Sequence, residues 1–348
     1  MTQRIYLDYN ATAPLRDAAR AAMMDAMDVI GNPSSVHAEG RAAKALLERA
    51  RADVAAAFGA DGADVVFTSG ATEAAALALA GRGMSCAGVE HDAVSSWCNI
   101  DLPVDAAGQV VAANPAAAAV QLANSETGII QSLPDGLAVC DATQGFGKIP
   151  MAFNWLGADM ALISAHKLGG PKGIGALVLR KGIDIAAQIR GGGQEMGRRS
   201  GTENIIGAAG FAAAARAAQA DLEAGVWTKI EKLRNILENT IEAEAKMTIF
   251  VGKGGARLPN TTSMITPGWK GETQVMLMDL AGFAISAGSA CSSGKVQASR
   301  TLRALGYDDT AAASAIRISL GPQTTEDDVL RFADSWLAQY RKFEARLG

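Results

Sequence analysis

The chain has 348 residues, 49% of them hydrophobic and 20% charged, enough apolar material for a full core in about two domains of roughly 100 to 200 residues each. It is too apolar to stay disordered, and charges interrupt every apolar stretch before it reaches the ~18 to 20 residues of a membrane span. With 32 Lys and Arg against 36 Asp and Glu, the net charge of -4 gives no basic field for nucleic-acid phosphates, so neither nucleic acid nor membrane is an expected partner.

The segment from Met1 to Pro14 has no apolar signal core behind a basic start, and a cytoplasmic location is expected. Strand-like Ile5 to Leu7 is followed by two alanine-rich amphipathic stretches, Leu15 to Val29 and Val36 to Phe58. These read as helices separated by the turn residues Gly31, Asn32 and Pro33. Short apolar runs come next, at Val65 to Thr68, Ala118 to Ala123, Leu137 to Cys140, Met160 to Ser164 and Gly175 to Leu179. Unalternating runs between helical segments belong to strands covered on both faces, which predicts an α/β fold with a mostly parallel central sheet. Ile205 to about Lys246 reads as one long helical connector. After it, strands at Thr248 to Val251, Thr261 to Ile265 and Ile316 to Leu320 alternate with helices near Gly271 to Leu280, Ala298 to Leu305 and Glu326 to Ala345, the order of a smaller α+β domain. The expected division is a large domain over 14–246 and a small one built from 1–13 and 247–348.

Four cysteines, Cys86, Cys98, Cys140 and Cys291, are too few and too widely spaced for a disulfide framework or a metal knot, and no metal is expected. Three of them sit beside apolar residues and read as inert buried thiols. Cys291 differs, because it lies in the Gly/Ser run from Ala287 to Gly294, a composition that suits a moving loop from which a thiol could reach a substrate and then an acceptor.

Three strand ends could carry chemistry. Ser69-Gly70-Ala71-Thr72-Glu73 follows a strand and opens a helix, where free backbone N–H groups and the helix dipole attract an anion. An ordinary N-cap is the alternative reading. Asp141 closes an apolar strand at the edge where α/β folds place ligands, and taken alone it also reads as a cap or turn residue. Ser164-Ala165-His166-Lys167 precedes a Gly/Pro turn, where a closely approached lysine amine can be nucleophilic. Together Asp141 and Lys167 suit a pyridoxal cofactor, which needs an imine lysine and a carboxylate on its ring nitrogen.

The succession YLDYNATAP, GNPSS.H, FTSGATEA, EH.AV, N.ETG, DATQ..GK, SAHK..GPKGIG, GGGQE...RSGTEN, SAGSACSS and IR.SLG resembles that of the cysteine desulfurases, the NifS/IscS-like branch of the class V aminotransferases with the type I fold of pyridoxal phosphate enzymes. The resemblance runs from Ile5 to about Leu330. It implies pyridoxal 5'-phosphate as cofactor and Lys167 as the lysine that attaches it. It also implies Asp141 on the ring nitrogen, Gln144 on the phenolic oxygen and His91 stacked on the ring as a proton shuttle. Ala71, Thr72, Ser164 and His166 fall at phosphate-holding positions, and Thr202 at the position lent to the other subunit of a homodimer. Asn124 and Arg317 match substrate contacts, with Arg317 suited to grip a carboxylate.

On this resemblance, L-cysteine is converted to L-alanine and a persulfide on Cys291. The sulfur then goes to an acceptor protein: an iron-sulfur scaffold, a tRNA-thiolation carrier or a molybdenum-cofactor sulfuration partner. A selenocysteine lyase, a cysteine sulfinate desulfinase, an aminotransferase and a non-catalytic binding homologue are the rival readings. Ser125 stands where many relatives have a second Asn, and the segment between Asn99 and Asn124 is shorter than in most. The segment after the last helix is shorter than in relatives whose tail helps dock a cluster-assembly scaffold, which leaves the expected chemistry in place and the identity of the acceptor open.

Overall fold

The computed structural model describes residues 4–288 and 298–347. Strand β1 (Ile5–Tyr6) leads into helices α1 (Asp17–Met27) and α2 (Ala38–Ala57), followed by β2 (Asp64–Thr68) and α3 (Ala71–Leu79). Next come β3 (Ser85–Ala87), the one-turn α4 (Asp92–Ser95), β4 (Asn99–Leu102), β5 (Ala119–Gln121), β6 (Leu137–Asp141), β7 (Ala158–Ser164) and β8 (Gly175–Leu179). The central sheet has the order β2-β8-β7-β6-β5. Strands β5, β6 and β7 pair in parallel, while β8 runs against both β7 and β2. Four strands therefore point one way, and the C-terminal ends of β2, β5, β6 and β7 bring Thr68, Gln121, Asp141 and Ser164 to one edge.

The apolar runs are buried because both faces are covered. Helices α1, α2 and α5 (Ile205–Glu223) close one face, where Phe58, Phe67, Leu137, Ile163 and Phe211 meet. Helix α3 closes the other over Val66, Leu77, Val139, Met160 and Leu162. The expected single connector is two helices, α5 and α6 (Val226–Glu244), because Gly225 takes a left-handed φ of 70° that an uninterrupted helix cannot include.

Beyond that break the packing changes side. Trp227, Ile230, Leu237 and Ile241 of α6 join Phe332, Trp336 and Tyr340 of the last helix in a second core that also takes in Ile5 and Leu7. Its sheet is formed by β9 (Ile249–Phe250), β10 (Thr261–Ile265), β12 (Ser286–Ala287) and β13 (Ala315–Ser319), in the order β12-β13-β10-β9. Helix α7 (Gly271–Leu280) precedes β11 (Phe283–Ala284), which pairs in parallel with β1. Short helices α8 (Arg300–Ala304) and α9 (Asp309–Ala313) lead to β13, and α10 (Glu326–Glu344) follows it. The expected boundary at residue 246 lies one helix downstream of this change in packing. No helix among the described residues is long and apolar enough to cross a membrane, and they contain no cluster of His, Cys, Asp and Glu suited to a metal ion.

Candidate active site

A cavity of about 610 Å3 opens at the C-terminal edge of the central sheet, within the size range of small-molecule sites. Its wall includes Ala71, Thr72, His91, Asp141, Gln144, Ser164, His166 and Lys167, which are far apart in sequence but reach the edge from successive strand ends. Helix α3 begins there with no side-chain cap, so the first-turn N–H groups are left to an anion rather than to an N-cap hydroxyl. Glu73, three residues into this segment, turns back instead: its carboxylate accepts from Ser69 N at 2.7 Å and from Arg199 Nε at 2.7 Å. Burial pushes Glu73 upward, but these hydrogen bonds outweigh it and hold the carboxyl below its ordinary range.

At the other end of the wall, Asp141 Oδ1 accepts from Thr143 N at 3.0 Å, which orients the carboxylate at the tip of β6. Lys167 Nζ donates to the carbonyls of Asn10 at 2.6 Å and Ala11 at 3.0 Å. Gln144 Nε2 donates to the same Asn10 carbonyl at 3.0 Å, and its Oε1 accepts from Lys148 Nζ at 2.6 Å. His91 caps α4 through Nδ1, which accepts from Ala93 N at 3.1 Å. A backbone donor on Nδ1 places the proton of the neutral ring on Nε2. His166 Nδ1 lies 3.2 Å from Thr12 Oγ1. Burial first, and then the charges of Lys167, Lys172 and Lys148, lower the His166 pKa to about 4, so near neutral pH this ring is a hydrogen-bonding group and not a cation.

Of the remaining expected residues, Asn124, Arg317 and Thr202 stand outside this wall. Asn124 is buried and spends its side chain locally: Nδ2 donates to Val89 O, while Oδ1 accepts from the N–H groups of Glu126 and Thr127. It shapes the turn that presents Ser125 to the cavity. Arg317, on β13 and 2% exposed, donates to Asp8 Oδ1 at 2.7 Å, to Ser286 Oγ at 3.1 Å and to Ser125 O at 3.0 Å. Its Nε is buried and has no acceptor among the described residues. Thr202 is exposed and lines a neighbouring cavity of about 230 Å3, whose wall shares Ser69 and Gly173 with the first. Cys291 lies outside the described residues. Cys140 is fully buried, and burial pushes its thiol up. Cys86 is also buried, and its pKa is raised by a hydrogen bond with Cys98 and by burial, whereas half-buried Cys98 is lowered through that same contact.

Asn10 and Lys148 belong to this site although neither carries a sequence signal of its own. The YNAT and GK segments show their types, but only the fold brings residues 138 positions apart into contact, with Lys148 Nζ 3.0 Å from Asn10 Oδ1. The donor set suits pyridoxal phosphate. A primary amine stands within the same cavity as a carboxylate, an uncapped helix start faces it, and the buried Gln144 amide contributes to its wall.

The family model for class-V aminotransferases matches residues 5–96 and 87–332. A cysteine desulfurase of Cereibacter sphaeroides is 38% identical, with 95% of this chain and 94% of that protein covered. One from Klebsiella pneumoniae is also 38% identical, over 94% of this chain and 90% of its own. Among solved structures, a NifS-like protein from Rickettsia africae superposes with a TM-score of 0.87 at 30% identity, covering 97% of this chain and 100% of that one. Similarity of this extent means that the chain belongs to the class-V aminotransferase family, among its cysteine desulfurases.

Proposed function

We propose that the chain takes sulfur from L-cysteine, releases L-alanine and holds the sulfur as a persulfide on Cys291 for an acceptor protein. The observation that carries this reading is the meeting of Lys167, Asp141 and the uncapped start of α3 in one cavity. Pyridoxal 5'-phosphate is the cofactor of this family, and when bound it supplies an electron sink for charge developing at the substrate Cα.

The chain's own residues take the remaining tasks. Ala71 and Thr72 offer backbone N–H groups to the phosphate, with Ser164 Oγ and neutral His166 beside them. Asp141 would keep the cofactor's ring nitrogen protonated, and Gln144 would donate from Nε2 to its phenolic oxygen. Lys167 would hold the cofactor through Nζ, and its amine would take up the substrate Cα proton. The carbonyls of Asn10 and Ala11 give the freed amine a place to rest. His91 carries its proton at Nε2 and delivers it on the cavity side. Arg317 receives the substrate carboxylate beside the Asn124–Ser125 turn, whose Ser125 carbonyl it already meets.

Cys291 attacks the substrate sulfur as thiolate. The S–S bond forms as the Cβ–S bond breaks, and the electron pair left on carbon is protonated before alanine leaves. Thr202 completes the phosphate site of a second copy, making the enzyme a homodimer. The acceptor belongs to iron-sulfur, tRNA-thiolation or molybdenum-cofactor assembly, and the work is done in the cytoplasm. We place the division between the large and small domains near Gly225, where the two cores separate.

Cys291→Ser tests the central claim. The variant should bind pyridoxal phosphate and L-cysteine normally, because those steps use Lys167, Asp141 and α3, while alanine and persulfide formation fall by orders of magnitude. Alanine release near the wild-type rate would remove Cys291 as nucleophile, and a keto acid product would mark an aminotransferase. Borohydride reduction and peptide mapping should place the pyridoxyl group on Lys167. Its appearance on Lys172 instead would overturn the assignment of the attaching lysine.

A further inference from the structure

Lys148 is a buried amine to which the reaction above gives no task. It lies on the turn after β6, is 2% exposed, and meets no carboxylate among the described residues. Its Nζ donates to Gln144 Oε1 at 2.6 Å and to Asn10 Oδ1 at 3.0 Å. Burial, followed by the charges of Lys167 and Arg317, pushes this amine well below the lysine range. Its N–H groups match the two acceptors, Gln144 Oε1 and Asn10 Oδ1.

The consequences run through both partners. With Oε1 claimed by Lys148, the amide of Gln144 must turn its NH2 the other way; one N–H reaches Asn10 O at 3.0 Å and the second is left for the cavity that Gln144 lines. The same Asn10 carbonyl accepts from Lys167 Nζ at 2.6 Å. Asn10 is itself clamped from the opposite side, since its Oδ1 also accepts from Asn260 Nδ2 at 3.0 Å and its Nδ2 donates to Thr261 Oγ1 at 2.8 Å. Without Lys148 the Gln144 amide loses the partner that distinguishes its two ends, and its carbonyl can face an electron-rich oxygen in the cavity.

We propose that Lys148 is a positioning residue that fixes Gln144 with its NH2 toward the cofactor. This rests on Gln144 and Lys167 having the roles given above. The charged or titratable groups facing Lys148 are Lys167, Arg317 and His166, with Tyr9 and Arg16 lining the small cavity that Lys148 and Lys167 share. None of them is altered by the variants below.

The test uses Lys148→Met, Gln144→Leu and the double variant as reconstituted holoenzymes, read by cofactor dissociation and by the pH midpoint of the bound chromophore's colour change. Lys148→Met should still be labelled at Lys167 by borohydride, bind pyridoxal phosphate about tenfold more weakly, as for one lost oriented hydrogen bond, and shift the midpoint. The double variant should match Gln144→Leu, because Lys148 acts through Gln144. Independent, multiplying effects, or an unshifted midpoint in Lys148→Met, would overturn the proposal. If Gln144→Leu itself leaves the chromophore unchanged, the reading of Gln144 fails first. A crystal structure of the wild-type holoenzyme decides the matter even if Lys148→Met does not fold: Gln144 should span Lys148 and the cofactor, and a Gln144 turned away from Lys148 would refute the idea.

Discussion

His166 shows how a single side chain can tie cofactor binding to folding. Its pKa falls from 6.5 to about 4 in the folded chain because burial and three lysines disfavour the cation. The unfolded chain therefore binds more protons between those values. Stability conferred by the neutral ring is complete above pH 6.5 and is lost as the pH falls toward 4. His166→Gln, which keeps a polar group near Thr12, should flatten this part of the stability curve, as measured by urea unfolding across that window. An unchanged slope would mean that His166 is charged in the folded chain. The type of residue at 166 was legible in the sequence from the SAHK segment, but its protonation was not, since Lys172 and Lys148 approach it only through the fold. Asn10 and Lys148 make the same point more strongly, because each reads in sequence as an ordinary polar residue near a turn.

At the level of elements, the strands of the central sheet were legible because burial on both faces leaves a continuous apolar run, and β8 occupies the expected span Gly175–Leu179. Its direction was not legible, since an apolar run carries no record of which way it points. The α5–α6 break was missed for a related reason: Gly225 sits in a segment whose helical periodicity resumes at once, and only the left-handed φ separates the two halves.

Gly175 marks a different constraint. A Cβ there would lie 2.6 Å from Ile163 O and 2.8 Å from Gly70 Cα, so the start of β8 must pass bare against the residue that opens α3. Gly175→Ala should push that helix start aside and weaken pyridoxal phosphate binding at least about tenfold, measured by cofactor dissociation. Gly225→Ala is the matched control. It meets open space and costs about 1 kcal/mol of stability through its backbone alone, and it should leave cofactor affinity unchanged. Equal losses of affinity in both variants would show that stability, and not the geometry at Gly70, is being read.

For the whole molecule, the proposed role of Thr202 at a phosphate has to be reconciled with its exposure. It lines a cavity that abuts the main one at Ser69 and Gly173, and Arg199 of the same segment is ion-paired to Glu73 at the start of α3. The segment is thus fastened beside the phosphate end of its own site while the Thr202 side of the wall stays open. Apolar side chains are also left uncovered elsewhere on the chain, with Ile30 and Val36 each 87% exposed in the connection between α1 and α2. The open Thr202 wall is filled if a second copy packs against it and the two sites exchange Thr202 across a twofold axis.

Subunit mixing tests this directly. Lys167→Ala alone should be inactive, and Thr202→Asp, which sets a carboxylate against the phosphate, should be nearly so. In a mixed dimer that shares residues across the axis, one site receives both defects and the other receives intact Lys167 and intact Thr202. Equal mixing with full exchange should then restore about a quarter of wild-type activity, because half of the dimers carry one sound site of two. If Thr202 instead acts within its own chain, each site in the mixed dimer keeps a defect and mixing restores nothing. Borohydride labelling of the mixture gives the second readout: the pyridoxyl group should appear on the Thr202→Asp chain, which alone supplies Lys167, and only after the chains have been allowed to exchange.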